Sequence, residues 1–448
     1  MKLIRQISSL LAIRWILIGL GFITGIFVAR TLGPQGKGVL TLLGSLMAMM
    51  SVVASLGLPS SAAYLHKQKK YSIGTLTGVA ALFWVVVACA LVALLFWKFE
   101  AFIKIFAGDF RGVAIEPIWL WLSLATLPGL VFSAFVNTIL VIDDQMRLYT
   151  LASVGSQLVG TVLSWTLVIV LKWGVTGALV ANVGVLCFAT AIAFYWLRSC
   201  GEQGKLHLSW PAFVQMARTS YGPYFTGLVA SIFKRGEGIV LALLLDISMV
   251  GYYGVALTLY DLLIDIPRAT FWPIVGRMAD LTSSNQAEMA ARSIRLQIVT
   301  MAGPVIGVVL ISPALIPLVY GQVFAPAGLL LACMVPGVLF RTVHLGVFAY
   351  FTAQGRAEAT LPSVTVAAVV NLGLDFVLVP SLGLIGVAIS NVIAEVLEAM
   401  LSVILFLKHS HGRLSDVFPP RKSDLLDLLR ITNAFVQKAR STLMARTG

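Results

Sequence analysis

Long apolar stretches alternate along the chain with short segments that gather charge, Gly and Pro. Each stretch holds about 20 residues or more, the length that carries a helix across the hydrocarbon core. The pattern predicts twelve spanning helices in two sets. The first six are 10–29, 39–64, 73–97, 118–141, 148–170 and 175–197. The second six are 221–245, 251–273, 295–318, 328–352, 361–380 and 384–407. Span prolines, Pro223 and Pro336 among them, are candidate bends, because Pro removes a backbone hydrogen bond. Gly222 and Gly227 make span seven the foremost candidate.

Composition agrees with the pattern. Of 448 residues, 59% are hydrophobic and 11% charged, where a soluble protein carries about 25% charged residues. Lipid must therefore solvate much of the surface. The net charge of +13 would suggest a nucleic-acid partner only on a soluble basic domain, and none is present. It reads instead as membrane orientation. With the N-terminus inside, inner segments hold 23 Lys and Arg against six in outer segments. That bias predicts a multi-pass protein with both termini cytoplasmic. Leu10–Ala29, interrupted by Arg14, is long enough to remain as a span rather than a cleaved leader. Cys89, Cys187, Cys200 and Cys333 form no CxxC or Cys/His cluster, so neither a disulfide framework nor a metal site is expected.

The two sets repeat. GVTGALVAN at Gly174 returns 209 residues later as GLIGVAISN at Gly383. Arg147 and Arg356 keep the same separation. Near the start of each set, Leu32 and Gly38 match Leu245 and Gly251 at a spacing of 213. Six spans separate equivalent helices, so the copies share one orientation, and parallel repeats of this kind commonly bound a cavity. The expected fold is an all-α polytopic membrane protein of about 12 transmembrane helices, in two pseudo-symmetric six-helix bundles around a central cavity. The expected bundles are 1–200 and 221–407, joined by a cytoplasmic linker, 201–220. The remaining segment, 408–448, reads as a cytoplasmic basic amphipathic tail. Leu425, Leu428, Leu429, Phe435, Val436 and Ala439 share one face there, with Arg430, Lys438 and Arg440 around it.

Several segments carry a resemblance. VARTLGPQGKG after the first span, KRGEGIVLALLLDISMVGYYGVA at spans seven to eight, VYGQVFAPAGLLL, and AQGRAEATLPSVTVAAVVNLGLDFVLVPSLGLIGVAIS stand in the order seen in bacterial polysaccharide and oligosaccharide flippases. These belong to the multidrug/oligosaccharidyl-lipid/polysaccharide exporter superfamily. The resemblance covers residues 1–410, although the turn Asp246–Met249 lacks the Gly-Pro-rich form common there. It implies a non-enzymatic transporter in the bacterial cytoplasmic (inner) membrane. Its cargo would be undecaprenyl-pyrophosphate-linked oligosaccharide repeat units, moved from the inner to the outer leaflet by alternating access. Membrane lipids, a polysaccharide polymerase and glycosyltransferases are the implied partners.

Charges inside spans are costly and face a cavity or a partner. The first six spans hold almost none at depth. Lys234, Arg235 and Glu237 lie in span seven, Asp261 and Asp265 in span eight, Arg341 and His344 in span ten, Asp375 in span eleven, and Glu395 and Glu398 in span twelve. A lipid-linked pyrophosphate needs cations at depth, and guanidinium grips phosphate bidentately. Arg235, Arg341, Lys234 and His344 are therefore the expected substrate-binding residues. Structural pairing, of Arg235 with Glu237 for example, is the alternative. Asp261, Asp265, Glu395 and Glu237 are the expected coupling or gating residues. No cofactor is expected, but a mid-span carboxylate can bind H⁺ or Na⁺, because burial disfavours its bare charge. The membrane potential offers a simpler drive, about 2.3 kcal/mol per charge per 100 mV.

Rival functions fit less well. A membrane glycosyltransferase or polymerase needs a loop or soluble domain for its catalytic groups, and Asp143-Asp144 stands alone. A cation-coupled multidrug exporter would use acids in the first bundle. A lipid II flippase would carry an arginine-rich first span, where this chain has only Arg14 and Arg30 near the ends.

Overall fold

The computed structural model describes residues 2–68, 70–86, 89–90, 115–142, 145–199, 206–279, 281–410 and 412–419; for some of these, Lys234 and residues 2–18 included, it describes the backbone alone. The expected tail from residue 420, most of the loop before Pro117, and Asp143-Asp144 lie outside the described residues.

Every regular element among the described residues is helical, as lipid demands: a spanning segment must satisfy its own backbone polar groups. α1 (Lys2–Ser55) merges two expected spans across a kink at Gly33, whose φ of 67° breaks the helical path ahead of Pro34. α2 (Leu58–Lys67) continues the second span. α3 (Ile73–Val86), α4 (Pro117–Ile142), α5 (Met146–Ser164) and α6 (Gly174–Ser199) follow, with a π-helical turn, Trp165–Val170, closing α5. Next come α7 (Trp210–Leu244), α8 (Ile247–Ala279), α9 (Ser283–Tyr320), α10 (Ala325–Met334), α11 (Gly337–Ala353), α12 (Leu361–Leu382), α13 (Leu384–Ser410) and the short α14 (Leu414–Val417).

Eight of the described helices are long and apolar enough to cross a membrane, and a ninth forms if the pair α10–α11, bent by 49°, is one span. Counting α1 as two rods, and adding α3 and the charged α7, the described residues follow the twelve-span order. The protein is an all-α polytopic membrane protein. The bend falls at Pro336, between α10 and α11, while α7 runs as one helix.

The chain separates into two compact units. Unit 1 is Met1–Gly254 with Pro317–Phe324; unit 2 is Val255–Ile316 with Ala325–Gly448. This division does not coincide with the expected linker. α7 starts at Trp210, inside 201–220, because Ser209 caps its first turn by accepting from the Ala212 N–H and Pro211 suits that turn. α7 then packs within unit 1. The Ser61 hydroxyl donates to the Met216 carbonyl at 2.8 Å, and the Tyr71 hydroxyl donates to Gln215 at 3.1 Å. Gly57, with φ of 71°, lies so near α7 that a Cβ there would stand 2.7 Å from the Ser220 carbonyl oxygen.

Each unit has its own packed centre. In unit 1, Leu65, Leu76, Ile139, Trp196 and Met216 join α2, α3, α4, α6 and α7. In unit 2, Met278, Ile294, Val347, Tyr350 and Phe406 join α8, α9, α11 and α13. The tail hydrocarbons of lipid are as apolar as these residues, so close packing rather than escape from water holds such centres together. The repeat motif has a backbone cause. Gly174 opens α6 and Gly383 precedes α13, with φ of 61° and 59°, a left-handed conformation that suits glycine.

Candidate functional site

α11 and α13 build the buried charge cluster of unit 2. Arg341 and His344 stand at i and i+3 on α11; Glu395, Glu398 and Ser402 recur at helical spacing on α13. Arg341 Nη1 donates to Glu398 Oε2 at 2.6 Å. His344 Nε2 lies 3.5 Å from the other oxygen of Glu398, and its Nδ1 is 2.9 Å from Ser402 Oγ. Ser402 in turn donates to Ser363 of α12 at 3.1 Å. Glu398 is wholly buried, and the Arg341 side chain is 17% exposed. The cluster thus places its cation beside an anion, with hydroxyls taking up further polar capacity.

Glu395 is held one turn away. The Tyr260 hydroxyl of α8 donates to Glu395 Oε1. Gly337 leaves room for the carboxylate, since a Cβ there would collide with Glu395 Oε2. Also on α8, Arg268 lies 3.8 Å from Asp261 and 3.4 Å from Asp265.

A second buried polar group joins α12 to α13. Asp375, Asn371 and Ser390 are all inaccessible to solvent. Ser390 donates to Asp375 Oδ1, while Asp375 Oδ2 and both amide atoms of Asn371 have no hydrogen-bond partner among the described residues. Burying such atoms unpaired costs about 1–3 kcal/mol each. No group of three or more His, Cys, Asp or Glu arranged to hold a metal occurs among the described residues.

Unit 1 is furnished differently. A cavity of about 380 Å³ opens between α1, α4 and α6; its polar lining is Ser51, Ser123, Thr126 and the motif residue Asn182, with no charge. α7 brings charge into the spans of unit 1. Glu237, 2% exposed, accepts from the Tyr253 hydroxyl at 2.6 Å. Arg235 is half-buried and makes no hydrogen bond or ion pair among the described residues.

The expected substrate-binding residues therefore fall in two places. Arg341 and His344 share one cluster in unit 2; Arg235 and the backbone of Lys234 lie in unit 1, with the Lys234 side chain outside the described residues. The expected coupling residues also divide, Glu237 in unit 1 and Asp261, Asp265 and Glu395 in unit 2. Sequence reasoning left out Tyr260, Ser402 and Ser363, and did not join Asp375 to Asn371 and Ser390. The i, i+4 spacing of Asn371 and Asp375 was the available signal.

Residues 3–266, more than half of the chain, match the family described as "Polysaccharide biosynthesis protein". The chain belongs to this family. No curated relative matches its sequence. Among solved structures, this polysaccharide biosynthesis protein is similar to an inward-facing multidrug resistance MATE family transporter (TM-score 0.75, 17% identity, covering 88% of this chain and 94% of that one). It is equally similar to the lipid II flippase MurJ in an inward closed conformation (TM-score 0.75, 14% identity, 94% and 92%). A Vibrio cholerae MATE transporter follows (TM-score 0.61, 12% identity, 92% and 99%). At these identities the likeness establishes the fold. The family match ties the chain to polysaccharide biosynthesis, and the solved structures add the fold.

Proposed function

We propose that the protein carries undecaprenyl-pyrophosphate-linked oligosaccharide repeat units from the inner to the outer leaflet of the bacterial cytoplasmic membrane by alternating access, supplying surface polysaccharide synthesis. The observation that carries this reading is the family match across the first eight spans. Its orientation follows from the 23-to-6 excess of basic residues, which favours cytoplasmic ends. The likeness to a lipid II flippase supports a lipid-linked cargo.

The pyrophosphate requires a cation that is not already neutralised. Arg341 brings little net charge, because Glu398 is hydrogen-bonded to it. Arg235 has no such partner among the described residues, so it is the principal phosphate ligand in this reading. Arg341 and His344 then hold α11 to α13. Asp375 with Asn371, or Glu395, supplies the H⁺ or Na⁺ site if transport is ion-coupled. Without a coupling ion, a doubly charged anion moving outward gains about 4–5 kcal/mol per 100 mV.

The test is movement of a labelled undecaprenyl-pyrophosphate oligosaccharide across proteoliposomes, alongside surface polysaccharide in a strain lacking the gene. Movement that depends on the protein, and loss of surface polymer without it, are expected. Unchanged polymer together with protein-driven efflux of cationic drugs would replace this reading with multidrug export.

A further inference from the structure

Three helices of unit 1 turn small and polar positions toward one space. Gly44 and Ser51 of α1 stand at i and i+7, Ser123 and Thr126 of α4 at i and i+3, and Asn182 lies on α6 within the motif GVTGALVAN. The space is the uncharged cavity of about 380 Å³, within the roughly 300–1,000 Å³ of small-molecule sites. At Gly44 an added Cβ would meet no atom within 4 Å, so the wall is open there.

The hydrogen-bonding capacity of this lining is specific. Ser51 donates to the Ala48 carbonyl, Ser123 to the Trp119 carbonyl and Thr126 to the Ser123 carbonyl, each on its own helix. With their protons placed, these three oxygens are left as acceptors. Asn182 supplies the complement. Its side chain is exposed and makes no hydrogen bond among the described residues, which leaves two N–H donors and a carbonyl oxygen. The repeat copy, Asn391 on α13, has its amide oxygen buried instead. The open amide is therefore a feature of unit 1 and not of the motif.

The membrane interior penalises an amide turned toward hydrocarbon. An acyl chain in this cavity would leave Asn182 without a partner, and an ionised group would find no opposite charge on the lining. A neutral group bearing several hydroxyls, each able to donate and accept, satisfies both the acceptor oxygens and the amide, while its ring carbons meet Leu43 and Met47. We propose that the cavity is a saccharide subsite that takes uncharged sugar rings of the cargo. The inference rests on the reading above for a lipid-linked glycan. It adds where the glycan is read and that the sugar seated there is neutral.

Binding of labelled undecaprenyl pyrophosphate, bare or carrying a neutral oligosaccharide, to the purified full-length protein tests it. The parent is expected to hold the glycosylated lipid about tenfold more tightly or better, as a few net hydrogen bonds allow. Asn182→Leu and Gly44→Phe should each erase that preference and leave the affinity for the bare lipid unchanged. A parent without the preference, or variants that keep it in full, overturns the proposal. Where Gly44→Phe does not fold, Asn182→Leu decides, because it keeps the size of the side chain and removes the amide. A second readout needs no lipid. In protein whose four native cysteines are replaced by Ser, a Gly44→Cys thiol is labelled with a maleimide. A free neutral oligosaccharide should slow that labelling roughly threefold or more, and an oligouronate of equal length should not. Labelling that the neutral sugar leaves unchanged, or that both sugars slow alike, also overturns the proposal. Failure of the parent to bind either lipid, with protection by the neutral sugar intact, would count against the lipid-linked cargo and not against the subsite.

Discussion

Arg235 on α7 and Arg341 on α11 are both cations within the spans, yet they are furnished in opposite ways. Arg341 meets a carboxylate that is itself fully buried, backed by a histidine and two serines. Arg235 meets no such partner among the described residues. The difference separates two uses of buried charge. A cation already matched joins helices; an unmatched one is available to an anion that comes and goes.

The strongest way to break this comparison is to unmatch Arg341. Glu398→Ala removes the carboxylate hydrogen-bonded to the Arg341 guanidinium and should cost about 3–5 kcal/mol in unfolding stability measured in detergent. Replacing both partners, Glu398→Leu with Arg341→Met, should recover most of that loss. If the double variant is instead stable but unable to export, Arg341 touches cargo and the contrast with Arg235 collapses. Next in size, Arg235→Ala should lower export roughly ten- to a hundredfold, as expected for losing a hydrogen bond to a charged group. Membrane abundance on immunoblots should stay at the parental level, and Arg235→Lys should recover part of the activity, keeping the charge without the fork. Gly337→Ala drives a methyl into Glu395 and should cost about 1–3 kcal/mol by overpacking; an unchanged melting curve would mean that Glu395 is not confined. The smallest expected effect is Ser402→Ala, about 0.6 kcal/mol, read by the same unfolding measurement.

Much of this was legible in the sequence. Span order follows from apolar length, and the repeat motifs mark real constraints. Gly174 and Gly383 share a left-handed backbone, and Gly38 and Gly251, matched by the 213-residue offset, lie against each other. What escaped was pairing between helices distant in the chain. Nothing local tells that Glu398 neutralises Arg341, 57 residues before it, or that Tyr260 reaches Glu395 across 135 residues. The internal repeat, six spans to a set, groups α7 with the helices that follow it. Its glycine and serine contacts to α1 and α2 place it in unit 1, and such contacts leave no periodic signature. Ser363, Ser390 and Ser402 look like ordinary small residues until a carboxylate or imidazole faces them.

Unit 1 is discontinuous: it takes Pro317–Phe324 from a point more than 60 residues after its main body ends. That has a consequence for biogenesis. While the chain is being synthesised, the Leu318 carbonyl that Arg30 grips and the aromatic edge of Phe324 beside Tyr252 do not yet exist when α7 and the start of α8 leave the ribosome. Unit 1 therefore completes its packing only after α9 has entered the membrane, and a nascent chain halted between residues 254 and 317 should remain open to proteases where the finished protein is closed.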